Sequence, residues 1–259
     1  MNNSKRGFIL VVILSVILIM LIIAGVIKER HDNKLSEEEY VSCNEMYEKK
    51  ALEENVPEES TKDPSKIIGL ANKLKGKQDV NVLILGDDIA MSTGRKSEAG
   101  IWSDALKNLL ESTYGNKVNL KLVAKEGATT EVGLSAIKEN DISDYDLVIL
   151  CYGSNDRKEA IKISDVKKNY MEIISQIKQK SPTSLMIAVL ESSLELNNSY
   201  RLAVLDVAAN NYMLVADMRN AFDSSGKSEA SISNNGLPND AGYEIYTQTI
   251  AKKIKEVVG

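Results

Sequence analysis

Four polar segments stand where an apolar run ends, and their side chains are of the kinds that do chemistry. Val82-Leu83-Ile84-Leu85 runs into Gly86-Asp87-Asp88. The others are Gly127-Ala128-Thr129-Thr130, Gly153-Ser154-Asn155-Asp156 and Asn235-Gly236-Leu237-Pro238-Asn239-Asp240-Ala241-Gly242-Tyr243. Three aspartates, Asp87, Asp88 and Asp156, offer carboxylates that could gather around Mg²⁺ or Ca²⁺, or act as acid or base if one were held protonated. A serine nucleophile would need a base. The one histidine of the chain is His31, some fifty or more residues before these segments. Ser92 lies four residues beyond Asp88 in the following loop.

Such segments need elements that bring them to one place. From Pro64 onward, helical and strand patterns alternate. Strands are expected at Val80–Leu85, Val118–Ala124, Leu147–Tyr152, Leu185–Leu190 and Met213–Asp217. Helices are expected from Pro64 to about Leu74, then at Ile101–Tyr114, Leu134–Lys138, Val166–Lys178, Tyr200–Asn210 and Ala241–Val257. Strands that are apolar throughout and alternate with helices argue for a parallel sheet covered on both faces, with polar loops at the C-terminal edge. The chain shows neither an internal repeat nor a low-complexity tract.

The part before Pro64 reads differently. Phe8–Ile27 is an uncharged apolar run, long enough to cross a bilayer as a helix. Ala24-Gly25-Val26 is a poor cleavage site, which favours an uncleaved anchor. Lys5 and Arg6 before the span favour a cytoplasmic N-terminus. Residues 28–63 are dense in Glu and Lys and read as an acidic stalk. The expected organisation is a cytoplasmic tail (1–7), a transmembrane signal anchor (8–27), a stalk (28–63) and a folded domain (64–259). This places a single-pass protein in the cell membrane with its C-terminal domain outside the cytoplasm.

The formal net charge is −5. The stalk holds most of the acidity, so the folded part is close to neutral and lacks the basic face that nucleic acid would need. The cysteines, Cys43 in the stalk and Cys151 at a strand end, fall in different environments, so a disulfide between them is disfavoured. No Cys/His spacing suits a metal, and no cofactor is expected.

At these four segments, over residues 79 to 259, the chain resembles the SGNH (GDSL) hydrolase family. Trp102 and the Pro-Asn-Asp-Ala-Gly-Tyr helix start strengthen the likeness. The resemblance implies a flavodoxin-like three-layer α/β/α fold with a five-stranded parallel sheet. It also implies ester or acyl hydrolysis by a Ser-His-Asp triad, often on lipids or acetylated glycans. The nucleophile's position after Gly-Asp is Asp88 here. The oxyanion donors of the family map onto Gly127 and Asn155. The family's Asp-x-x-His motif becomes Asn235-Gly236-Leu237-Pro238, with Asn at the Asp position and the His deleted.

All three triad positions are therefore changed, and losing any one removes most of the rate. The expectation is a pseudoenzyme: an extracytoplasmic domain that binds a surface glycan or lipid, or serves an envelope protein partner, in a cleft with Asp88, Gly127 and Asn155. The alternative is an esterase or metal-dependent enzyme of altered mechanism that uses Asp88 with Asp87 and Asp156.

Overall fold

The computed structural model describes residues 64–259. Phe8–Ile27, His31, Cys43 and the stalk lie outside the described residues. Among the described residues no helix is long and apolar enough to cross a membrane.

Five parallel strands form one sheet: β1 (Val80–Gly86), β2 (Val118–Ala124), β3 (Leu147–Cys151), β4 (Leu185–Leu190) and β5 (Leu214–Asp217). Their order is β2-β1-β3-β4-β5, the doubly wound arrangement of flavodoxin-like sheets. The register sets Gly86 opposite both Ala124 and Cys151, so β1, β2 and β3 end level.

Side-chain alternation divides the core into two layers. Val82 and Ile84 of β1 face α1 (Pro64–Lys75), α2 (Trp102–Tyr114) and the closing helix α9 (Asp240–Val258). Leu83 and Leu85 face α3 (Thr130–Glu139), α5 (Ile163–Lys180) and α6 (Ser199–Asn210). Strands β3 and β4 are buried along their whole length, which is why they read as unbroken apolar runs. The three-layer α/β/α fold is thus as the sequence pattern requires.

Short elements complete the C-terminal edge: α4 (Ser154–Lys158), α7 (Met218–Ser224), α8 (Glu229–Ile232) and the two-residue strands β6 (Ser233–Asn234) and β7 (Leu237–Pro238). Their brevity leaves no readable period, and sequence periodicity did not mark them. Helix α3 starts at Thr130, four residues before the expected Leu134. Its first turn is polar, and Asp156 holds the Thr130 N–H and hydroxyl there.

Candidate functional site

Asp88 begins the loop after β1 and is 7 % exposed. Its Oδ2 accepts the Gly127 N–H at 2.9 Å and Asn155 Nδ2 at 2.6 Å. One carboxylate oxygen therefore sits on the two donors that the family resemblance would assign to an oxyanion. Burial pushes the Asp88 carboxyl up, but the bonds from Asn155 and Gly127 outweigh it and hold the group below its ordinary range. Asp88 is thus an anion held by preorganised donors at the distances such a pocket uses.

Asn155 is the hub. Its Nδ2 also donates to Asp87 Oδ2 at 3.1 Å and to the Ala128 carbonyl at 3.3 Å. Lys158, one turn on and exposed, donates from Nζ to Asn155 Oδ1 at 3.0 Å and so fixes which way the carboxamide points.

Asp87 is fully buried and accepts from the Ile89 N–H at 2.9 Å. Asp156 is also fully buried, but both its oxygens face Thr130. Asp87, Asp88 and Asp156 do not each bring a ligand atom within 4.8 Å of the others. Among the described residues the set that does so is Asp87, Cys151 and Glu191. Each of the three aspartates is occupied by protein N–H or O–H donors, so we assign no metal to them.

Glu191 was not singled out by sequence. It directly follows β4, is fully buried, and accepts the Ser154 N–H at 2.8 Å and the Cys151 thiol at 3.6 Å. A polar residue directly after the apolar run Leu185–Leu190 was the available signal. Lys158, four residues after the Ser154 helix start, carried none. Cys151 is a free, buried thiol, and burial raises its pKa, so it stays protonated.

Ser92 is fully buried, with φ +58°, and its Oγ accepts the Trp102 N–H at 3.1 Å. It holds the β1 loop to α2. Trp102 does the same from its other end, donating Nε1–H to the Ile89 carbonyl at 2.7 Å.

The residues of the last motif all take part in local structure. Asn235 and Gly236 have φ of 52° and 77° and join β6 to β7 as a two-residue hairpin turn. Both central residues of such a turn need positive φ, and Asn-Gly supplies it. Asn235 is exposed at the tip. Asn239 caps α9 by accepting the Ala241 and Gly242 N–H groups. Asp240 accepts from the Lys96 N–H and the Ser97 hydroxyl, fastening the β1 loop to the helix. Gly242 lets the helix pass the hairpin, since a Cβ there would lie 2.2 Å from the Ile232 carbonyl oxygen. Tyr243 donates its hydroxyl to the Thr93 carbonyl at 2.6 Å. Among the described residues no histidine is present at this edge.

Comparison with known proteins agrees with this architecture. A two-domain esterase active on acetylated mannans superposes with a TM-score of 0.63 at 15 % identity, covering 76 % of this chain and 54 % of that one. The present chain thus spans about half the length of that esterase. A lipase/acylhydrolase from Enterococcus faecalis gives 0.54 at 20 % identity, covering 68 % and 96 %. The psychrotrophic esterase EstA from Pseudoalteromonas sp., in a structure inhibited by monoethylphosphonate, gives 0.54 at 15 %, covering 68 % and 97 %. At these identities the likeness is one of fold. No curated protein matches the sequence. The GDSL-like lipase/acylhydrolase family matches residues 84–245, from the middle of β1 into α9. With more than half its length matched and the sheet and motif loops in place, the chain belongs to the GDSL-like lipase/acylhydrolase (SGNH) family.

Proposed function

We propose that this is a membrane-anchored, outward-facing SGNH domain that binds a hydroxyl-rich ligand, a surface glycan, without hydrolysing it by the family's triad. One observation carries the reading: the Asp88 carboxylate occupies the Gly127 and Asn155 donors. A tetrahedral intermediate would need those donors for its own oxyanion. A resident anion excludes that charge from the same point. It also suits a neutral partner, because a carboxylate accepts hydrogen bonds from sugar hydroxyls. The acetylated-mannan activity of the structurally similar two-domain esterase makes glycans the first ligand class to try. The uncharged run Phe8–Ile27 supports the anchor.

The test is hydrolysis of an activated acetyl ester by wild type, Asp88→Ser and Asp88→Ala, beside melting curves with plain and acetylated manno-oligosaccharides. The expected result is no turnover above buffer in any of the three. Asp88→Ser is expected to fail too, because no histidine stands at the edge to take its proton. A rise in melting temperature with oligosaccharide, lost in Asp88→Ala, supports the binding role. Turnover by wild type that Asp88→Ala abolishes would overturn the reading. It would leave the second one, an altered hydrolase in which the ionised Asp88 takes part directly.

A further inference from the structure

Beneath the oxyanion donors lies a second pair of carboxylates. Asp87 follows β1 and Glu191 follows β4, on either side of β3. Both are fully buried, and each brings an oxygen within 4.8 Å of the other and of the Cys151 thiol. Asp87 accepts from the Ile89 N–H, from Asn155 Nδ2 and, at 3.4 Å, from the Ser154 hydroxyl. Glu191 accepts the Ser154 N–H and the weak thiol donor of Cys151. Among the described residues no cation is seen in contact with either carboxylate. The positive charge that bears on Asp87 is that of Lys158, which is exposed and bonded to Asn155. Two like charges this close and this dry repel strongly, and such carboxyl pairs settle by retaining a proton.

We propose that Asp87 and Glu191 share one proton, so that the floor of the site is a buried carboxyl pair carrying a single negative charge. The surrounding groups favour this. Asp88 adds negative charge beside Asp87, and Asp156 adds it beside Glu191. The rings that face the pair, Tyr170 from α5, and Tyr243 and Tyr246 from α9, are neutral phenols whose ionisation the pair further opposes. Tyr152 at the end of β3 is likewise held neutral by burial and by Asp87. Burial raises both carboxyls above their ordinary range, with repulsion from Glu191 adding to the rise at Asp87 and repulsion from Asp156 to that at Glu191.

The proton matters to the site above it through Asn155. Its Nδ2 carries two hydrogens but faces three acceptors, on Asp87, Asp88 and Ala128. A full second charge on the pair draws that amide toward Asp87 and away from Asp88. The protonated pair therefore holds the Asn155 amide on Asp88, and its deprotonation loosens Asp88 from the oxyanion donors. This inference is independent of whether the domain binds glycan or hydrolyses esters.

Infrared difference spectroscopy on the full-length protein, titrated upward from acid, tests it. A protonated carboxylic acid shielded from water gives a carbonyl band apart from the amide absorption. The expected result is that this band persists above the ordinary carboxyl range, disappears as pH rises further, and is absent in Glu191→Gln. Absence of the band from wild type at every pH above the ordinary carboxyl range would overturn the proposal. So would a band retained in both Glu191→Gln and Asp87→Asn. If either variant fails to fold, Asp156→Asn decides: burial raises that carboxyl too, so a wild-type band lost in Asp156→Asn would overturn the proposal and one retained there supports it.

Discussion

On the β1–β3 side of the sheet edge, the Gly127 N–H and Asn155 Nδ2 converge on one carboxylate oxygen. On the β5–α9 side, residues 233–238 fold into a tight hairpin whose turn residues are exposed. The first side gathers its donors on a resident anion, Asp88. The second is built of a turn, a helix cap and a tie to the β1 loop. Donors such as Asn155 also hold the buried ends of β1 and β3 together, so they persist for structural reasons.

Trp102→Ala is the severest way to break the contrast, because the indole joins the two sides. It bonds to the Ile89 carbonyl in the β1 loop and lies 6.3 Å, centroid to centroid, from Tyr246 of α9. Denaturant unfolding is expected to show a loss of about 3–5 kcal/mol, as for other large buried aromatics. A loss under about 1 kcal/mol would mean the two sides do not share a core.

Asn155→Ala tests the donor side alone. It leaves Asp87 and Asp88 each short of a donor, and a loss of about 1–3 kcal/mol is expected by the same measurement. Asn235→Ala tests the hairpin side. Alanine at φ +52° is strained, so about 1 kcal/mol is expected, whereas Asn235→Gly is expected to be close to neutral. Asn235→Asp, which reinstates the family's carboxylate type, is expected to leave ester hydrolysis at background.

The finest distinction is in pH dependence. Asp88 is held below its ordinary range, so the stability it brings is present above the ordinary carboxylate pKa, about 3.9. It is lost as pH falls through the depressed value. Asp88→Asn is expected to flatten that acid limb. The Asp87–Glu191 pair has the opposite sign. Its folded-state pKa is raised, so its proton stabilises the fold at low pH, and that stability is lost as pH rises through the raised value. Glu191→Gln is expected to flatten the alkaline limb and leave the acid one. Equilibrium unfolding over pH with both variants separates the rim of the site from its floor.

The sequence by itself determined the sheet and its layers. Val82–Leu85, Leu147–Leu150 and Leu185–Leu190 are buried on both faces, and only unbroken apolar runs satisfy that environment. Asp88, Gly127 and Asn155 stood out through the resemblance of their segments to the SGNH family's motifs. The tertiary structure alone decided what these groups do to one another. Asp88 meets Gly127 from 39 positions away and Asn155 from 67, and no local pattern encodes which oxygen meets which donor. The same holds for Glu191. Its type is visible after β4, but its meeting with Asp87 depends on β1, β3 and β4 lying side by side in a parallel sheet. Local periodicity fixes which face a side chain takes, and only the order and register of the strands fix its neighbours.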